Sequence, residues 1–200
     1  MRSRTLGAST MGTRHRRGAA GVTLIELLAV LVIIGVIAAF GLPRLDYSRY
    51  RADAAARVVR SALQQAQRNA IQRQHDMLVS FDLSGNRVRI LEDVNNNRQA
   101  DAGEHVVWRP LEDGARFATP ASTLAGARAT SAVAGPNLRT VDGMPSITFH
   151  ANGSASTDTE VYVTSARTAQ SDFRAIRVTQ STGRVEWYRY GSSAWRRDGV

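Results

Sequence analysis

The sequence predicts an α+β protein: a long amino-terminal helix that begins as a membrane span, followed by a β-rich antiparallel head. Three observations predict it. From Val22 to Leu42 the chain is apolar or small, broken only by Thr23 and Glu26. From Tyr50 to Ala70 small and apolar residues recur every four positions. From Met77 onward, short alternating runs are separated by turn signals, the pattern of antiparallel strands.

The apolar run comes first. Its 21 residues make a rod of roughly 30 Å at about 1.5 Å per residue, the thickness of a bilayer's hydrocarbon core. Arg14, Arg16 and Arg17 crowd the upstream flank beside His15, which orients that flank to the cytoplasm. A cleaved secretory signal would have a shorter run with small residues after it. Here Gly18, Ala19, Ala20 and Gly21 stand before it, so the apolar helix is expected to stay. Glu26 then needs a reason, because an ionised carboxylate at membrane depth costs about 2.5–3.5 kcal/mol.

Beyond Pro43 the helix is expected to continue to about Gln74. Tyr50, Ala54, Val58, Ala62, Ala66 and Ala70 form one stripe, with Val59, Leu63 and Ile71 beside it. Arg51, Arg57, Arg60, Arg68 and Arg73 lie largely off that stripe and can face water. Gly35, Gly41 and Pro43 weaken the backbone ladder near the membrane exit, where bending is expected.

In the head, runs at 77–83 and 87–93 flank Ser84-Gly85-Asn86, a hairpin turn, and a run at 105–109 stops at Pro110. The stretch 119–145, rich in Ala, Gly, Ser and Thr, reads as a long mobile loop rather than core. Runs at 146–150, 160–166, 173–180 and 184–190 follow, separated by Asn152-Gly153 and Thr182-Gly183. The last ten residues read as a loose tail.

Charge adds little. The chain has 200 residues and a net charge of +9, and all its basic residues are arginine. Five of those arginines and no acid lie in 1–21, which leaves +4 beyond it. From Asp76 onward 14 arginines meet 14 acids, so bulk charge is no argument for nucleic acid binding. No cysteine is present, which excludes disulfides and Cys-ligated metals.

The run Gly21-Val22-Thr23-Leu24-Ile25-Glu26 resembles the processing site of type IV pilins and type II secretion pseudopilins. The resemblance implies a leader, 1–21, cut by a prepilin peptidase between Gly21 and Val22, with methylation of the new amino terminus. Val22 departs from the usual Phe or Met. Glu26 becomes the fifth mature residue and Pro43 the twenty-second, where these proteins usually carry proline. By the same resemblance Glu26 acts in assembly, pairing with the ammonium group at Val22 of an adjacent subunit so that two costly charges cancel.

Further stretches narrow the family. ALQQAQRNAI, DVNNNRQADAGE, SITFHANGSA and IRVTQSTGRVEW resemble, in that order, the pseudopilin subfamily called GspH in secretion systems and FimT or FimU in type IV pili. The implied fold is pilin-like, a long helix packed on a head of two antiparallel sheets. The implied organisation is a leader (1–21), a transmembrane helix (22–42), the periplasmic half of the helix (43–75) and the head (76–200). The implied function is that of a minor pseudopilin supporting type II secretion, the alternative being a type IV pilus minor pilin. Its partners would be the prepilin peptidase, other pilins or pseudopilins in a filament tip, and an inner-membrane assembly platform. The protein would cross the bacterial inner membrane once, head in the periplasm.

Two stretches invite other chemistry. Asp93, Asn95, Asn97, Asp101 and Glu104 fall at positions 1, 3, 5, 9 and 12 of a calcium-loop spacing. Arg98, however, replaces the usual glycine, so a loop that bonds its own backbone is the preferred reading, and no metal or cofactor is assigned. Near the carboxyl end, Arg184, Arg189, Arg196 and Arg197 are interleaved with Trp187, Tyr188, Tyr190 and Trp195. They are candidate DNA contacts, since some FimT-type minor pilins are implicated in DNA uptake through a GRxR-like segment. Here Glu186 replaces its second arginine, and the competing reading is an ordinary strand. His75, His105 and His150 sit in no nucleophile or metal motif, and no catalytic residue is assigned.

Overall fold

The computed structural model describes residues 22–41, 47–111, 114–166, 169–191 and 193–198, without the side chains of 38–41. The expected leader with Gly21, and the stretch 42–46 with Pro43, lie outside the described residues. The chain divides into two units, Met1–Leu45 and Asp46–Val200.

The first unit contains α1, Leu24–Gly41. Its 18 residues rise about 27 Å, slightly less than a hydrocarbon core of roughly 30 Å. Among the described residues no helix is long and apolar enough to cross a membrane. The span expected at 22–42 ends at Leu42, which lies outside them.

The second unit is organised by α2, Tyr47–Arg73. It buries Ala52, Ala55, Ala56, Val59, Ala62, Leu63, Ala66 and Ala70. The buried set follows the 3.6-residue period, and its small side chains let a sheet approach the helix closely. Tyr50, expected on this stripe, is exposed; the inward face begins only at Ala52.

Eleven strands follow among the described residues. The first sheet has the order β3-β2-β1-β7-β6, from β1 (Asp76–Asp82), β2 (Arg87–Asp93), β3 (Val106–Pro110), β6 (Arg139–Val141) and β7 (Met144–Phe149). The second has the order β11-β10-β9-β8. It is built from β8 (Thr159–Ser165), β9 (Arg174–Val178), β10 (Val185–Gly191) and β11 (Ala194–Asp198). Two short strands, β4 (Ala115–Phe117) and β5 (Val133–Ala134), share the remaining edge of β8. All pairings are antiparallel.

One core joins α2 to both sheets. Met77, Val79 and Phe81 of β1, Val88 and Ile90 of β2, and Ile147 and Phe149 of β7 meet Val161, Val163, Ile176, Val178 and Val185 of the second sheet. Along each strand these residues alternate, as one inward face requires. The head is therefore the expected α+β architecture of two antiparallel sheets packed with a helix.

Two expectations are corrected. The stretch 119–145 is not outside the core: it supplies β5 and β6, and Ala132 and Val133 are buried in the central cluster. β6 and β7 form a hairpin that turns at Asp142-Gly143, φ +52° and +76°, a local Asp-Gly signal. β5 is too short for any periodicity to mark it, and its pairing with β8 is long-range. Nor is the end of the chain a loose tail. Residues 194–198 pair with β10, and Trp195 meets Tyr190 edge-to-face (ring centroids 5.2 Å apart) and Tyr162 at a tilt (5.8 Å).

Candidate functional site

At the start of α1, Thr23 stands before the first helical residue. Its hydroxyl oxygen accepts the Glu26 N–H at 3.3 Å, and its carbonyl accepts the N–H groups of Glu26 and Leu27. This is a helix-capping arrangement, and the T-x-x-E spacing that announces it was legible in the sequence. The Glu26 side chain is exposed in the first turn, where the positive end of the helix dipole favours an anion. Val22 is exposed immediately upstream.

Three of the sequence stretches that carried the resemblance converge on one point of the head. Gln67, from ALQQAQRNAI, donates from Nε2 to Gly153 O at 3.0 Å and to Thr182 O at 2.9 Å. Gly153 belongs to the SITFHANGSA turn and Thr182 to the turn before β10. Gly183 adopts φ +62°, and a Cβ added there would lie 2.1 Å from Gly153 O. Only glycine lets the two turns approach this closely. Sequence reading marked these turns as separators; that they lock to each other through α2 depends on non-local contact.

A second lock holds the other end of α2. Arg174, fully buried, is held by Asp53 of α2 at 2.5 Å and donates to the carbonyls of Ser171 and Phe173. Arg189 lies 3.6 Å from the same aspartate and pairs with Asp198 at 2.7 Å. A buried guanidinium is tolerated because charge and hydrogen bonds are both satisfied.

That network bears on the candidate DNA contacts. Arg184 and Arg197 both pair with Glu186, at 3.1 and 2.7 Å, and Arg189 is taken by Asp53 and Asp198. Arg196 is exposed and makes no ion pair among the described residues. The aromatic side chains are also engaged: Trp187 packs on the central core, while Tyr188 and Trp195 pack on Tyr162, Phe173 and Ala175. The register places Glu186 opposite Arg177 and Tyr188 opposite Arg197, so the outward row from β8 to β11 alternates in charge.

The same row shifts its titrating groups. Burial, then the hydrogen bond to Glu160, pushes the Tyr162 hydroxyl well above the usual phenol range. Tyr188 is raised by burial and by its bond to Glu186. Arg177 is raised chiefly by its hydrogen bond to Glu160, at 2.6 Å. In the β1–β2 turn, the Gly85 N–H, then Arg87 and Ser84, hold the Asp82 carboxyl down at about 2.

In the loop after β2, Asp93 is buried and accepts the N–H groups of Asn97 and Arg98 at 3.0 and 2.7 Å. Asn95 and Asn97 bond Asp101, and Glu104 accepts the N–H groups of Val94 and Asp101. Arg98 takes the left-handed conformation, φ +63°, that a glycine would supply. Asn96–Gln99 and Arg139–Asp142 line one depression of about 560 Å3. The loop therefore folds back across the outer face of the first sheet, where Leu78, Leu91, Ser80 and Thr148 are buried.

A family model for Type II transport protein GspH matches residues 55–183, and one for the prokaryotic N-terminal methylation motif matches residues 16–42. A pilin-like protein, PilA1, of Thermus thermophilus is 38% identical over 85 residues, 42% of this chain and 54% of that protein. The chain thus spans about half the length of the curated relative it matches. Two solved structures are similar. One is the minor pseudopilin EpsH from the Type 2 Secretion System of Vibrio cholerae, with TM-score 0.48 and 13% identity, covering 71% of this chain and 99% of that one. The other is the type IV minor pilin FimU of Pseudomonas aeruginosa, with TM-score 0.46 and 15% identity, covering 74% and 94%. At these scores and identities the two structural likenesses add no weight about function.

Proposed function

The chain belongs to the family of type II transport protein GspH, and from that premise we propose that it is a minor pseudopilin of a type II secretion system. In this reading the peptidase removes 1–21, α1 anchors the subunit in the inner membrane, and the head extends into the periplasm. The observation that carries it is α1 itself, an apolar helix lying within the matched methylation motif, with one carboxylate in its first turn. Such a helix is apolar on all sides, and lipid or the helices of neighbouring subunits would give every side an apolar surround. Glu26 sets its register by meeting the new amino terminus at Val22 of the next subunit. The work is assembly, and no residue needs to perform catalysis.

A second reading, a minor pilin of a type IV pilus, is favoured by the pilin-like name of the curated relative. The experiment is deletion in the native host, scoring secreted protein in the medium and surface pili separately. Lost secretion with pili retained supports the secretion reading; the reverse result replaces it with the pilus one. Processing is tested by mass spectrometry of the membrane-extracted chain, which should begin at methylated Val22.

A further inference from the structure

We propose that strand β3 is a docking edge that receives an extended, acidic strand from a different protein subunit. β3 ends the first sheet, and among the described residues no strand pairs with its far side. The phase of its ladder decides which groups point there. Glu92 N–H donates to His105 O at 3.0 Å and Leu111 N–H to Asn86 O at 2.9 Å. Val107 and Arg109 therefore direct their backbone groups at β2, and Val106 and Trp108 direct theirs outward. An exposed edge of this kind is a template for another strand.

The side chains match that use. Val106 and Trp108 are among the few large apolar residues exposed in the head, at 38% and 37%. The Arg87 guanidinium lies 4.0 Å over the Trp108 ring and that of Arg89 at 5.9 Å, which holds the indole as a preformed platform. Arg109 is exposed and has no ion pair among the described residues.

Charge identifies the occupant. The other sheet edges of this chain carry arginine as well: Arg139 on β6, Arg116 on β4, and Arg196 and Arg197 on β11. A second copy would set arginine near Arg109, and like charges across a strand pair are destabilising. Pairing of two β3 edges would also demand a two-fold axis, which a head-to-tail filament does not contain. The fitting partner has apolar residues opposite Val106 and Trp108 and a carboxylate opposite Arg109. The docking edge does not depend on the filament reading; assigning its occupant to a neighbouring subunit does.

The test is amide hydrogen exchange on the full chain in detergent micelles, with the peptide acetyl-TVEVTV-amide as probe. Alone, Val106 and Trp108 should exchange freely while Val107 and Arg109 are protected. Saturating peptide should slow Val106 and Trp108 at least tenfold, and the analogue with lysine for glutamate should bind at least fivefold more weakly. Val106→Pro removes an outward N–H that the β2 ladder does not use, and should abolish binding; Arg109→Glu should reverse the peptide preference. Absence of peptide protection, equal binding of both peptides, or protection appearing with protein concentration alone overturns the proposal. In filaments recovered from cells the same two amides should be protected. A subunit that enters filaments with those amides still free overturns the assignment of the occupant, whereas a subunit that never enters them overturns the filament reading instead.

Discussion

Along α1 every described side chain from Leu24 to Ile37 is exposed, although nearly all are apolar. Along α2 the reverse holds: much of the helix is polar or small, and eight residues are buried against the two sheets. The difference teaches where each helix finds its stability. An amphipathic helix is held by its own domain, because one stripe buries against the core. A helix apolar on all sides needs an apolar surround on every side, as a membrane or a bundle of helices supplies. Changes in α1 should therefore alter assembly without altering head stability, and changes under α2 should do the opposite.

The largest expected effect tests the first half of that contrast. Glu26→Ala should abolish co-purification with partner subunits, while thermal unfolding of the head is unchanged. A lowered melting temperature, or assembly retained, would break the contrast. The second half is tested by Asp53→Ala. It leaves the Arg174 guanidinium buried without its acid, at a cost of about 3 kcal/mol. The melting temperature should drop by roughly 10 °C, with Asp53→Asn less severe because one hydrogen bond survives.

Gly183→Ala is expected next in size. A left-handed backbone and a clash with Gly153 O together should cost about 2 kcal/mol, seen as a lower denaturant midpoint. Gln67→Ala should lose about 1–2 kcal/mol by releasing two carbonyls. If both substitutions leave the midpoint unchanged, the convergence of the turns on α2 is not what secures the head.

The smallest effect is a titration. The Asp82 carboxyl is held down at about 2 against an ordinary value of 3.8. A depressed carboxylate contributes stability above the ordinary value and loses it as pH falls towards about 2. Unfolding followed between pH 5 and 2 should show that loss, and Asp82→Asn should flatten this part of the profile while lowering neutral-pH stability by about 1 kcal/mol. It sharpens the contrast because the β1–β2 turn touches neither helix's role: assembly should not respond.

What was legible in the sequence was whatever repeats locally. Periodicity marked the Ala face of α2, alternation marked β1, β2, β8 and β9, and the run around Glu26 marked the family. A capping threonine at position 23 was equally local and was missed. The candidate DNA contacts show a different limit: a list of arginines and aromatics does not say which acids fold against them. Glu186 is two residues from Arg184 and Asp198 is in the hairpin with Arg189, but only the fold brings Asp53, from α2, to Arg189 and sets Arg197 against Glu186.

By itself the sequence determined that this chain is an apolar helix joined to an antiparallel β-rich head, because hydrophobic period and turn chemistry act over a few residues at a time; the division into two sheets was only what the family resemblance implied. The tertiary structure alone decided that β5 joins β8, that three distant stretches lock at Gln67, and that among the described residues β3 is left as an open edge. Each of these depends on contacts between residues tens of positions apart. Such contacts are made when the whole core closes, and no local pattern encodes them.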